Sequence, residues 1–564
     1  MTDYLDNRIW LESYPEEVPN TIDYPSISLH QLLINSARDF PNNEAIAFLG
    51  KKLKYQTLLE YTYRFANALQ SLGVKKGERV AIMLPNTPQS VISYYAILML
   101  GAIVVQVNPL YTERELEYQL VDSGATTIIT LDLLFKKVYN IKPRTVIKNI
   151  IVTSIKDFLP FPKNLLYPLK LKKDGHVINI PKEDDIYSFT ALMKAHSSEA
   201  VNAEINPDED LALLQYTGGT TGLAKGVMLT HSNLVANVLQ ESYWLYKAKK
   251  GEERFMGALP LFHVFGMTAV MNFAIYMAGV MILVPRFNVD DFLKTIQKEK
   301  PTYFPGAPTM YIGILNHPKV LEYDLSSIEA CISGSAPLPV EVQEKFEKLT
   351  GARLIEGYGL TETSPVTHAN PIWGKRKNGS IGIPWPDIQA KIVDPNSGED
   401  VELGAIGELA VKGPVVMRGY WNKPDETAKV LSDDGWLLTG DMATIDDEGY
   451  FYIVDRKKDM IIAGGFNIYP REVEEVLYEH PAVLEAVVVG VPDPYRGENV
   501  KAFIVKKDGA EVTTEELDQF CREKLAAFKV PRAYEFRNEL PKTMVGKVLR
   551  RALLEEELER KNAG

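Results

Sequence analysis

Residues Tyr216-Thr217-Gly218-Gly219-Thr220-Thr221-Gly222-Leu223-Ala224-Lys225-Gly226-Val227 set glycines, hydroxyls and one lysine directly after an apolar run, 211–214, that reads as a buried strand. Glycine lets successive backbone N–H groups converge on an anion. Threonine hydroxyls add donors and an oxygen able to face a metal, and Lys225 adds a point charge on a flexible stem. Together these are the parts of a polyphosphate cradle. The spacing is not that of a Walker A loop, which needs Gly-x4-Gly-Lys-Ser/Thr. Counted from Gly218, that pattern demands Gly at 223 and Lys at 224, where this chain has Leu223 and Ala224. The kinase and GTPase reading fails on that count.

Further segments carry compatible chemistry. In Glu356-Gly357-Tyr358-Gly359-Leu360-Thr361-Glu362 the glycines permit close backbone approach, and Tyr358 offers a flat face to a base. Glu362 is a hard oxygen ligand suited to Mg²⁺, which takes one or two carboxylates together with phosphate oxygens. Ser333-Gly334-Ser335-Ala336-Pro337 is a second small-residue turn, between a strand and a helix. Asp441 follows Gly440, and its carboxylate can accept both hydroxyls of a ribose. His263, in Pro260-Leu261-Phe262-His263-Val264-Phe265, is the single histidine of a long uncharged stretch. Such a histidine either fills a core or orients a substrate. Near the C-terminus, Pro541-Lys542-Thr543-Met544-Val545-Gly546-Lys547 is a basic run that, taken alone, reads as a solvated face.

In this order, from 216 to 547, the motifs resemble those of the adenylate-forming enzymes, and over essentially the whole chain the bacterial long-chain fatty-acid–CoA ligases. The resemblance implies ATP, Mg²⁺ and coenzyme A as cofactors and a fatty acid as substrate. It assigns the nucleotide to Thr217, Gly218, Gly219, Thr220, Thr221, Gly222 and Lys225, and its adenine side to Gly334, Ser335 and Ala336. Glu356, Gly357, Tyr358, Gly359, Thr361 and Ile453 join that set, with Asp441 and Arg456 at the ribose or phosphate. Thr217 and Glu362 would hold the metal. Lys547 would drive adenylation, with His263 and Glu362 as further catalytic groups. Phe265, Gly266, Met267 and Gly306 would line the acyl pocket, Gly464, Gly465 and Phe466 the pantetheine channel, and Lys458 would be the hinge. One departure stands out: some relatives carry a gating Trp where this chain has Met267, a side chain that adapts to irregular apolar ligands.

These residues need a scaffold of parallel sheets. From 55 to about 283, helical runs such as 56–72 and 89–100 alternate with β-rich runs at 79–84, 103–107 and 126–130. Alternation of this kind means parallel strands with helices on both faces. It resumes at 302, with a strand at 330–333 and a helix at 340–349. Residues 156–200, rich in Lys and Pro, read as a long surface excursion. After Gly379 short strands and turns form a small β subdomain, about 380–457. Beyond the charged joint at 455–459, strands at 486–489 and 501–505 and helices from Pro470, at 514–524 and at 548–560 make a compact unit. The expected fold is therefore α/β: a large N-terminal domain, 1–457, of parallel-rich sheets, followed by a small mobile α+β domain, 458–564.

Composition bounds the rest. At 564 residues the chain exceeds one ordinary core. Its net charge of −12 argues against a nucleic-acid binder. Two cysteines, Cys331 and Cys521, in apolar periodic segments give no disulfide framework and read as core residues of a protein in a reducing, cytoplasmic compartment. Residues 255–285 carry no charged side chain, but Pro260, His263, Gly266, Asn272 and Gly279 interrupt them. They read as a buried strand–loop–helix–strand rather than a membrane span. Peripheral membrane contact and homodimer formation stay open. Rival activities are an acyl-AMP ligase with a non-CoA acceptor, an aryl- or medium-chain-CoA ligase, and a non-catalytic fatty-acid uptake or lipid-binding protein.

Overall fold

The computed structural model describes residues 8–176, 178–201, 203–217, 224–463, 466–493, 495–543 and 547–563. Its large domain is built on two extended sheets. The first has eight strands, with Arg79–Met83, Ile103–Gln106, Thr127–Leu131, Asn149–Thr153 and Leu211–Thr217 running parallel at its centre. These strands are buried on both faces and read as continuous β-branched runs, as parallel sheets require. The second has nine strands, and its parallel centre includes Arg254–Gly257, Tyr303–Gly306, Ala330–Ser333 and Arg353–Gly359. The helices Pro88–Met99 and His231–Trp244 contribute almost entirely buried side chains, and one apolar cluster runs through both sheets.

A four-stranded antiparallel sheet, Gln389–Val393, Gly407–Lys412, Leu437–Ile445 and Phe451–Arg456, forms the β subdomain. Beyond it, Val483–Asp493 and Gly497–Lys506 make a long hairpin covered by the helices Pro470–Tyr478 and Thr514–Lys524. This unit owns separate apolar clusters, the larger beginning at Ile461. Two cores under one chain are what a large and a small domain look like energetically.

The uncharged stretch at 255–285 folds as expected: the strand Arg254–Gly257, a loop, a helical segment from Val264 to Tyr276, and the strand Val280–Leu283. Among the described residues no helix is long and apolar enough to cross a membrane. Both cysteines are buried. The supposed surface excursion at 156–200 is more ordered than its composition suggests. It contains the helix Lys163–Lys173, a three-residue strand, Ile186–Ser188, that extends the first sheet, and the helix Phe189–Ala195. Phe189 is fully buried, its ring 4.3 Å from that of Phe65. A three-residue edge strand is too short to leave a periodic signal.

Candidate active site

The Thr/Gly loop joins two strands. Leu211–Thr217 pairs antiparallel with Lys225–Thr230, and Thr217 sits opposite Lys225. Residues 218–223, and with them Gly218, Gly219, Thr220, Thr221 and Gly222, lie outside the described residues. The second strand belongs to what reads in sequence as loop, because Gly226 packs against Tyr216: a Cβ there would lie 3.1 Å from the tyrosine ring. Lys225 Nζ stands 3.1 Å from Glu426 Oε2 and 4.4 Å above the centre of the Tyr420 ring. Tyr420 in turn donates its phenol hydrogen bond to Glu362 Oε1 at 2.7 Å. Burial and the Glu362 charge push the Tyr420 hydroxyl far above its usual pKa, so it remains a donor. Tyr420 and Glu426 were not legible as neighbours of Lys225: Tyr420 comes to it only because Gly419–Tyr420 pairs with the strand Lys225–Thr230.

On the other side, Glu356, Gly357, Tyr358 and Gly359 continue the strand Arg353–Gly359 rather than forming a free turn. The glycines are demanded by packing. A Cβ on Gly359 would lie 1.8 Å from the Pro365 carbonyl oxygen, and one on Gly357 would lie 2.6 Å from Ile332 Cδ1. Thr361 and Glu362 follow in the short helical turn Thr361–Thr363. Tyr358 Oη donates to Asp441 Oδ2 at 2.7 Å, and Arg456 Nε lies 3.4 Å from Asp441 Oδ1. Asp441 and Arg456 are direct cross-strand partners in the β subdomain, with Ile453 on the same strand as Arg456. Gly440, at φ +75°, supplies a backbone conformation in the middle of the strand that side chains rarely adopt. Two motifs 83 residues apart thus meet through one hydrogen bond.

The Ser333-Gly334-Ser335-Ala336 turn follows the strand Ala330–Ser333, and Ser335 adopts φ +70°. A Cβ on Gly334 would lie 2.9 Å from Phe265 Cε1, so this turn abuts the aromatic motif around His263. Gly266 is likewise obligatory: its Cβ would fall 2.4 Å from the Pro260 carbonyl oxygen. Gly306, where a Cβ would meet Tyr311 at 2.9 Å, closes the strand Tyr303–Gly306. Met267 is fully buried and opens a π-helical stretch, Met267–Asn272. Such π-turns concentrate at functional sites. His263 Nδ1 accepts from the Phe265 N–H at 3.3 Å, which leaves the ring proton on Nε2. Burial and the neighbouring Lys547 charge lower its pKa to about 4, so the imidazole is neutral at physiological pH.

Lys547 comes from the small domain and stands in this same space. Loss of solvent, with Arg456 and Lys458 close by, lowers its pKa to about 7 against the opposing pull of Asp441 and Asp459. Residues 544–546 lie outside the described residues, but Lys547 is anchored by its own N–H to Thr543 Oγ1 at 3.1 Å and by its carbonyl, which accepts from the Thr543 N–H at 2.8 Å.

The small domain is held against the large one by a buried ionic seam that sequence reading missed. Arg471 Nη2 lies 3.7 Å from Glu356 Oε1 while its backbone N–H donates to Asp455 Oδ2 at 2.8 Å. Glu356, expected at the nucleotide, has its carboxylate engaged by Arg471 and by the Leu338 N–H at 3.2 Å. Burial raises Glu356 to about 7 despite Arg471, and Asp455 to about 6 despite Arg550. Arg550 grips Glu474 with two bonds of 2.7 Å and reaches Asp459 at 3.5 Å. Lys458 is exposed between the strands Phe451–Arg456 and Ile461–Ala463. Gly464 and Gly465 lie outside the described residues; Phe466 opens the strand Phe466–Ile468, paired with Ile461–Ala463.

The chemistry of this arrangement is specific. One group joins Lys225, Glu426, Tyr420 and Glu362, and another joins the carboxylate–tyrosine pair Asp441 and Tyr358 with Arg456, Lys547 and His263. Glu362 has one oxygen taken by Tyr420; its other oxygen accepts no hydrogen bond among the described residues. No group of three or more His, Cys, Asp or Glu side chains that could hold a metal by themselves occurs among those residues. A single hard carboxylate joined through Tyr420 to Lys225 fits a Mg²⁺ that would complete its shell with phosphate oxygens and water.

Comparison with known proteins shows the family. The AMP-binding enzyme family model matches residues 33–421, and the AMP-binding enzyme C-terminal domain model matches residues 472–547. The chain is 58% identical to a long-chain-fatty-acid–CoA ligase of Bacillus subtilis, covering 98% of each chain. It is 42% identical to one of Yersinia pestis, again over 98% of each. Among solved structures, ATP-bound MatB of Rhodopseudomonas palustris superposes with a TM-score of 0.82 at 30% identity, over 94% of this chain and 99% of the other. An anthranilate CoA ligase in complex with anthranoyl-AMP gives 0.83 at 28%, over 94% and 98%. With its large and small domains both matched, the chain belongs to the AMP-binding enzymes.

Proposed function

We propose that this chain is an ATP-dependent ligase that activates long-chain fatty acids to acyl-CoA through an acyl-adenylate, releasing pyrophosphate and then AMP. The observation that carries the reading is the position of Lys547 beside Asp441, Arg456 and His263. A carboxylate is a poor electrophile. Its oxygen attacks the α-phosphate of ATP, pyrophosphate leaves, and the resulting mixed anhydride has a good leaving group. The CoA thiolate then attacks the acyl carbon and AMP departs. The protein's part is positioning and charge stabilisation. Lys547 neutralises charge shared by the carboxylate and the α-phosphate. The neutral His263 donates from Nε2 to the incoming carboxylate. Asp441 accepts the ribose hydroxyls, and Lys225 meets the outer phosphates after leaving Glu426. Mg²⁺ held by Glu362 and Thr217 would neutralise phosphate oxygens.

The names of the Bacillus and Yersinia relatives support a fatty acid as substrate. The buried apolar segment from Val264 to Tyr276, with flexible Met267 in place of an aromatic gate, supports a long chain. We place the domain boundary at 457/458, the pivot at Lys458 and the pantetheine path along Gly464, Gly465 and Phe466. The site of action is the cytoplasm, with contact to the membrane from which the substrate comes.

The test is AMP release with and without CoA across a carboxylate panel. Turnover that needs CoA and climbs with chain length, each methylene adding up to roughly fourfold at ~0.8 kcal/mol, supports the reading. AMP-linked turnover without CoA points to another acceptor, a preference for benzoate or acetate refutes the long-chain assignment, and no AMP release at all refutes the enzyme.

A further inference from the structure

The helix Lys163–Lys173 lies on the outside of the large domain, beyond the nucleotide and acyl machinery. Its inner face is Asn164, Tyr167 and Leu171, of which Leu171 is buried and the others half-buried. At roughly 100° per residue, Leu165, Leu166 and Leu169 point away from that face, and they are 65%, 55% and 65% exposed. Phe161, just before the helix, is 79% exposed. An outward stripe of large apolar side chains is the reverse of what a surface helix of a globular protein presents.

The charges around the stripe are as ordered as the stripe. By the same angular count Lys172 flanks it on one side and Lys163 and Lys170 on the other, with Lys173 at its C-terminal end. Residues 159–173 contain no Asp or Glu, although the whole chain carries a net charge of −12. Lys163 Nζ also donates to the carbonyl of Leu49 at 3.1 Å. Leu49 is itself 44% exposed and is followed by Gly50 and Lys51, so the patch continues onto that turn.

We propose that this helix, with Phe161, is an in-plane docking element that seats the protein on an anionic lipid surface. Apolar side chains enter the boundary between headgroups and acyl chains, while lysine stems extend sideways to phosphates, the arrangement of an interfacial helix. Charge decides the occupant. Two copies meeting through this face would bring their lysines together, whereas a leaflet with anionic headgroups complements them. The proposal deepens the ligase reading, because a long-chain acid partitions into membranes, but it rests on the surface alone and is read without turnover.

The test is sedimentation of the full chain with vesicles of phosphatidylcholine, alone or mixed with an equal part of phosphatidylglycerol. Binding should be strong only with the anionic lipid and should weaken in high salt. Leu165→Ser/Leu166→Ser/Leu169→Ser and Lys170→Glu/Lys172→Glu/Lys173→Glu should each lower the partition coefficient at least tenfold, since each lysine near such a surface is worth roughly fivefold. Both variants should keep the melting temperature and the turnover of a short, water-soluble carboxylate. Wild-type protein that fails to sediment, or variants that sediment as the wild type does, overturn the proposal. So does a leucine variant that changes only the oligomeric state in sedimentation velocity. Vesicle binding by a protein that turns over no carboxylate would fail the ligase reading alone.

Discussion

Arg471→Met should slow adenylation far more than thioester formation. The structure holds Lys547 beside Asp441, Arg456 and His263, and under the proposed function the seam that docks the small domain belongs to the adenylating arrangement. Arg471 is 6% exposed, lies 3.7 Å from Glu356, and bonds Glu475 at 3.0 Å. Methionine keeps the length and loses the charge. Removing one partner of a buried pair typically costs ~3–5 kcal/mol, because the other charge is left without compensation. Here the loss is smaller. Glu356 already titrates at about 7 and takes up a proton once Arg471 is gone, and the Asp455 bond uses the Arg471 backbone, which the substitution retains. We expect ~2–3 kcal/mol against docking, or about 30–150-fold in the adenylation rate. Single-turnover pyrophosphate release reads that step. Thioester formation from supplied acyl-adenylate reads the other, which should change less than about threefold, because the seam must open for it anyway. Equal slowing of both steps, or unchanged adenylation in a folded variant, would refute the seam as a docking device.

Lys547→Ala should remove adenylation by at least about a hundredfold and spare thioester formation from supplied acyl-adenylate; a loss below about tenfold takes Lys547 out of the chemistry. Lysine 547 is charged below its lowered pKa of about 7 and neutral above it. The kcat/KM for adenylation should therefore fall as pH rises through 7. The corresponding limb in kcat should move to higher pH, because bound phosphate favours the ammonium. A flat profile from pH 6 to 9 contradicts this. Glu362→Gln should raise the Mg²⁺ concentration needed for half-maximal adenylation about tenfold or more while keeping the Tyr420 hydrogen bond and the melting temperature; an unchanged Mg²⁺ requirement moves the metal to other ligands. Lys458→Pro fixes φ near −65° and removes a donor in the joint. It should slow thioester formation at least tenfold more than adenylation, and parallel slowing would make residue 458 merely structural.

The sequence by itself determined the parts of this protein whose signals are local. Alternating helical and β-branched runs announce parallel sheets because strands buried on both faces must be apolar throughout. The strand Ala330–Ser333 and the helix Thr514–Lys524 stand where their patterns end. The Thr/Gly loop and Glu362 suggest phosphate and metal chemistry through residue type at short spacing, whereas Asp441 and Lys547 stand out only through the family resemblance, since an acid in a turn and a basic run are ordinary by themselves. The tertiary structure alone decided how those parts combine. Tyr420 comes to Glu362 through strand pairing, Tyr358 to Asp441 across 83 residues, and Arg471 to Glu356 across a domain interface. None of these pairs has a local pattern, since each residue type is ordinary at its own position. The outward leucines of Lys163–Lys173 illustrate the same limit. Their apolar character is plain in the sequence, but whether a leucine faces a core or the solvent depends on which face of the helix meets the rest of the chain. That is a property of packing, fixed only when Leu171 is buried and Leu165 and Leu169 are not.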